Sequence, residues 1–155
     1  MNPSFLRFLS GWCFTLAALP AMADKVAVPA NAPKSFQAEC GSCHGAYLPA
    51  FLPAASWGLI LKGLDRHFGV DATLDDKTAT ELSAWLQNNA ARSGKFSESP
   101  PDHRITRSKW FLKEHRRFGS EVWARAAIKT PGNCGACHGQ AAQGGFDEDD
   151  VRVPK

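Results

Sequence analysis

Methionine is missing from this chain of 155 residues after position 22: Met1 and Met22 are the only two. No thioether beyond that point can therefore serve as a soft metal ligand. Cysteine is scarce as well. Of five cysteines, Cys13 stands alone and the other four fall in two C-x-x-C pairs; disulfides closed within such pairs would form very short loops and stabilise little. No strand-like run precedes either pair, which argues against a thioredoxin-type redox motif at a strand-to-helix junction. Charge of one sign is not in excess either. Eighteen Lys plus Arg stand against fifteen Asp plus Glu, so charge gives no reason to expect a nucleic-acid or anionic-membrane partner.

What is present is one motif used twice. Cys40-Gly41-Ser42-Cys43-His44 recurs near the other end as Cys134-Gly135-Ala136-Cys137-His138. Each is C-x-x-C-H, the signature of covalent c-type haem attachment. Two thiols three positions apart reach the two vinyl groups of one haem, and the adjacent histidine turns its imidazole under the iron. A four-cysteine zinc site also uses C-x-x-C pairs, but it has no use for a histidine directly after both. The residues thus predict two covalently bound haem c groups, with Cys40, Cys43, Cys134 and Cys137 as attachment points and His44 and His138 as proximal iron ligands.

The start of the chain reads as an export signal over residues 1–23: Arg7, an apolar run around 14–19, then Ala21-Met22-Ala23 as a small-residue cleavage site. The apolar run is too short for a confident membrane span. Cys13 would leave with this segment. The expected location is therefore periplasmic, on the side of the bacterial inner membrane where c-type haem is attached. Cleavage near Ala23 removes one basic residue and leaves a formal charge of +2, which four haem propionates would offset.

With both methionines inside the signal, His/Met axial ligation is excluded. Six-coordinate irons would need sixth ligands from His67, His103 or His115, or from a lysine or the new amino terminus. Helical faces rank the histidines. Ser56 can cap a helix whose Trp57, Ile60, Leu61, Leu64 and Phe68 share a stripe with His67 and which stops at Gly69. Over residues 108–118, Phe111, His115 and Phe118 share one face. His103 follows Pro100-Pro101-Asp102 without periodic apolar neighbours and reads as a surface or loop histidine. His67 and His115 are therefore the expected distal ligands, with pairing inside each half or crossed between halves both open. Methionine ligation raises haem potential, so two bis-histidine haems should lie comparatively low.

The remaining pattern predicts an all-α, mainly helical chain with long loops: an extended leader at 24–34, a helical turn at 35–39 and a proline-rich loop at 47–53 that covers one haem edge. Further helices follow at 75–89, with Leu82, Trp85 and Leu86 inward, and at 120–129. The tail at 144–155 carries a solvated acidic run. Residues 24–91 form an N-terminal haem lobe, 92–102 a linker and 103–155 a C-terminal haem lobe. Lobes of this size bury little by themselves, so the haems, packed by Trp57, Trp85, Trp110 and Trp123, should act as apolar cores.

The run from Glu39 to Tyr47 with Leu52-Pro53 and Ser56-Trp57, then His67-Phe68-Gly69, Arg104-Ile105-Thr106, Trp110-Phe111 through His115, Asn133 through His138 and Gly145-Phe146 resembles the small bacterial dihaem cytochrome c family, DHC. The resemblance covers most of the chain after the signal. It implies a mainly helical periplasmic protein whose first half is similar to a monohaem cytochrome c and whose two haems are bis-histidine ligated, with His67 and His115 as the remaining ligands. It also implies electron donation to a small high-spin c-type cytochrome, with a membrane cytochrome b or a quinol-linked donor upstream.

The function expected is that of a monomeric electron-transfer carrier with no catalytic residues of its own. Two alternatives compete with it: an electron-entry subunit of a periplasmic reductase, nitrate reductase-like, and a small haem enzyme or gas-binding protein with one five-coordinate iron.

Overall fold

Regular helix begins where the prolines end. Pro53 holds an extended conformation, and its carbonyl accepts the first helical bonds from Ser56 N at 3.0 Å and Trp57 N at 3.3 Å, opening helix Ala54–Lys62 (α1). Ser56 is therefore not the cap expected of it. It is the third helical residue, fully buried, with its Oγ bonded to Ser99 Oγ at 3.0 Å. The helix also ends earlier than the apolar stripe suggested, at Gly63 instead of Gly69. A single 3₁₀ turn, Leu64–Arg66, follows. Phe68 and Gly69, with φ of 49° and 103°, then reverse the chain, and Ala72 N returns to Leu64 O at 2.8 Å.

The next helix, Asp76–Asn88 (α2), starts at Asp75, whose Oδ1 accepts from Thr78 N at 3.0 Å. Leu82 and Leu86 are fully buried as the periodicity requires, and Trp85 packs on Phe36 with ring centres 4.6 Å apart. α1 and α2 lie against each other over a core of Leu52, Trp57, Leu82, Leu86 and Ala90. Each such buried leucine contributes about 1.5–3 kcal/mol by transfer from water. The proline-rich loop forms part of this core. Its Pro49–Phe51 turn buries Pro49 and Phe51, Leu48 and Leu52 are buried on either side of it, and Pro49 O accepts Trp57 Nε1 at 2.7 Å.

The structure is a computed structural model that describes residues 25–155; the expected export signal at 1–23 lies outside the described residues. The chain is mainly helical, and no extended strand occurs among the described residues. In the stretch 92–102, Phe96 packs on Phe51 at 5.4 Å and on Trp110 at 4.9 Å. Ser108 Oγ then accepts from Phe111 N at 3.2 Å and caps helix Lys109–Glu114 (α3), which ends at His115. Only one turn, Ser120–Trp123 (α4), forms where a helix was expected over 120–129. Beyond it the chain bends, with Lys129 at φ 67°, toward the second cysteine motif.

The two ends are fastened. Val26 N donates to Gly144 O at 2.9 Å, and Gly144, at φ 78°, has no room for a Cβ against the Val26 carbonyl. The acidic turn Glu148–Asp150 is solvated as expected, but the tail around it is tied down: Arg152 N donates to Cys137 O at 3.0 Å and Arg125 Nη1 to Pro154 O at 2.7 Å.

Candidate haem sites

The first motif leaves a π-helical turn, Phe36–Cys40, and swings outward, so that His44 is half-buried beside Cys43. His44 Nδ1 lies 2.8 Å from Gly45 O. A carbonyl oxygen only accepts, so Nδ1 carries the proton and Nε2 keeps the lone pair a metal needs. The turn after α1 brings His67 to it, with ring centres 6.2 Å apart and planes 24° from parallel. His67 thus meets the motif from the reversed chain beyond the helix, not from the helical stripe. Burial, then His44, then Arg104 lower its pKa, favouring the neutral ring that ligates metals. Arg104 lies over the Phe68 ring, 4.1 Å from its centre.

The second site is built by α3 and the 3₁₀ turn Cys134–Ala136. His138 N closes on Cys134 O at 2.8 Å, which fixes the histidine directly behind the motif. His115 and His138 have ring centres 6.1 Å apart, with planes at 79°. His115 stacks on Phe111 at 4.1 Å, and its Nδ1 donates to Phe111 O at 2.9 Å. Trp123 lies 5.7 Å from His115, and Phe146 lies 5.1 Å from His138. Burial, then His115, lower the pKa of His138.

These separations test whether the residues fit an iron. A metal–imidazole bond of about 2.0 Å, plus about 1.1 Å from nitrogen to ring centre on each side, places trans ligands about 6.2 Å apart. Both pairs meet that requirement. The structure brings His67 to His44 and His115 to His138, within each half; crossed pairs are not formed. His103 belongs to neither pair. It was expected as a surface or loop residue, but it is half-buried, with Nδ1 3.1 Å from Ser56 Oγ.

No disulfide joins Cys40, Cys43, Cys134 and Cys137, so all four sulfurs are available for haem attachment. Before attachment, burial raises the Cys40 and Cys137 thiols and pushes Cys134 up to about 11. Three aromatic residues that periodicity did not single out join the sites. Tyr47 stacks on His44 at 4.8 Å while its hydroxyl donates to Gly132 O at 2.7 Å, two residues before Cys134. Phe51 meets Trp110 at 5.4 Å and Phe146 at 5.2 Å. Tyr47 and Phe146 are among the residues that carry the family resemblance, and Phe51 lies in the proline-rich loop.

The profile of the dihaem cytochrome c family, DHC, matches residues 36–146. The chain belongs to the dihaem cytochrome c family. Solved structures agree. The new diheme cytochrome type c from Shewanella baltica OS155 is similar at 32% identity and a TM-score of 0.68, over 78% of this chain and 92% of that one. Two structures of the DHC from Rhodobacter sphaeroides are similar at 35% and 33% identity, with TM-scores of 0.62 and 0.64. Each alignment covers 72% of this chain, with 95% and 94% of the respective structures. No curated protein matches. As a dihaem cytochrome c, the chain carries two covalently bound c-type haems and is an electron-transfer haem protein.

Proposed function

We propose that this dihaem cytochrome c is a periplasmic, monomeric electron carrier whose two haems are bis-histidine ligated and of low potential. Cys40 and Cys43 attach the first haem, held by His44 and His67; Cys134 and Cys137 attach the second, held by His138 and His115. The observation that carries the reading is the pair of imidazole separations, 6.2 Å and 6.1 Å, in a chain without methionine after position 22. The haems supply reversible one-electron chemistry.

The chain's own part is to bind, orient and shield. Hydrogen bonds to Gly45 O and Phe111 O set the tautomers of His44 and His115, so each offers a lone pair without a proton transfer. His44 with His67, and His138 with His115, would hold the two irons between protein ligands and so would leave no open position for a substrate. Phe51, Trp110, Phe111 and Phe146 pack ring against ring beside the second site. A small high-spin c-type cytochrome is the proposed electron acceptor and a membrane cytochrome b or quinol-linked enzyme the donor, with the segment 1–23 removed on export.

The test is carbon monoxide binding by the reduced holoprotein. Wild type should show no spectral shift. His67→Ala and His115→Ala should each make one haem of two reactive; carbon monoxide binding by reduced wild type would overturn the ligation. Rapid mixing of the reduced protein with a high-spin c-type cytochrome should oxidise it in a second-order reaction, and an absence of transfer would overturn the proposed partner.

A further inference from the structure

The two histidine pairs have the same separation and opposite orientation. His44 and His67 are 24° from parallel; His115 and His138 are 79° apart, close to perpendicular. We propose that this difference makes the two irons electronically inequivalent, and that Phe111 is the positioning residue that imposes it at the second site. The inference rests on the bis-histidine ligation proposed above.

Each imidazole has one filled π orbital, perpendicular to its ring plane, that overlaps one of the two iron d orbitals of matching symmetry. When two axial rings are parallel, both act on the same d orbital and raise it above its partner. The pair is split, and the unpaired electron of ferric low-spin iron sits in one orbital. When the rings are perpendicular, each acts on a different d orbital. The pair stays nearly degenerate, orbital angular momentum survives, and the g tensor becomes strongly anisotropic. The predicted result is a rhombic low-spin iron at the first motif and a strongly anisotropic one at the second.

What fixes the second angle is visible in the packing. The His115 ring lies 21° from the plane of Phe111, and its Nδ1 proton is directed to the carbonyl of the same residue. One residue thus constrains both the tilt and the rotation of the ring, and Phe111 is itself buried between Trp110 and Trp123. His138 is turned against it by the motif backbone and by Phe146 at 53°. At the first site Tyr47 stacks on His44 at 22° and Phe68 packs on His67 at 58°, and between these neighbours the two imidazoles lie 24° from parallel.

The experiment is low-temperature EPR of the oxidised, doubly haem-loaded protein. Two low-spin species in equal amounts are expected, one with three resolved rhombic features and one with a single feature at much higher g. Two superimposable low-spin signals, of either kind, would overturn the inference while leaving the ligation intact. A high-spin signal would overturn the ligation and the inference with it. Phe111→Leu should move or broaden only the high-g signal, with two haems per chain and an unchanged rhombic signal showing that the fold is kept. Phe146→Leu, at the half-buried partner of His138, should affect the same signal alone. A change in the rhombic signal from either variant, or no change from Phe111→Leu, would remove the role given to Phe111.

Discussion

Around the first motif the chain supplies its own interior. α1 and α2 close on Leu52, Trp57, Leu82 and Leu86, and this core would remain if the group at His44 were taken away. Around the second motif the helices are six and four residues long, too short to be stable by themselves, and Phe111, Val122 and Ile128 are the buried apolar side chains there. The rest of that interior consists of half-buried rings directed at His115 and His138. One half therefore holds a haem on a protein core, whereas the other uses the haem as its core.

The strongest test of this contrast is to remove the attachment points in each half. Cys134→Ala with Cys137→Ala should halve the haem content by pyridine haemochrome and open residues 119–146 to limited proteolysis. Cys40→Ala with Cys43→Ala should lower haem by the same half yet leave α1 and α2 protected. Equal digestion of both variants would break the comparison. Next in size is Leu82→Ala, which leaves a cavity between α1 and α2 and should lower stability by about 2–5 kcal/mol, read as a denaturation midpoint shift with two haems retained. A loss under about 1 kcal/mol, outside the range for a buried leucine, would mean that the haem also holds the first half together. The smallest effect should come from Tyr47→Phe, which leaves the Gly132 carbonyl without its cross-half partner at a cost of about 1 kcal/mol. Its informative readout is a thermodynamic cycle with Phe146→Leu, because coupling between them would show that the two halves share one seam.

How far the sequence could be read depended on whether a local rule decided the matter. The two motifs, the helix beginning at 75 and its inward Leu82 and Leu86 all follow from spacing within a few residues, and the structure has each in place. The stripe from Trp57 to Phe68 misled, because periodicity cannot see that the backbone is free to leave the helix at Gly63. His67 still arrives beside His44, by a reversed turn instead of a helical face. Ser56 looked like a cap by residue type, but Pro53 had already begun the helix and Ser56 was drawn inside to bond Ser99. The proline-rich loop was expected to cover a haem edge, but the rule that prolines break helices does not say where the broken segment packs, and Leu48, Pro49, Phe51 and Leu52 lie in the core. Tyr47 and Phe51 act through partners more than fifty positions away, and no windowed pattern reports contacts of that range.

The bond between Val26 and Gly144 joins two segments that lie more than a hundred residues apart in the chain. Helices α1 and α2 lie close together in sequence and can assemble locally, whereas this clasp needs both distant segments in place. Non-local pairing of this kind is slow to form because the intervening loop must first be brought together. The clasp should therefore close after the local helices, and a chain truncated before Gly144 would keep α1 and α2 while leaving the segment around Val26 unfastened.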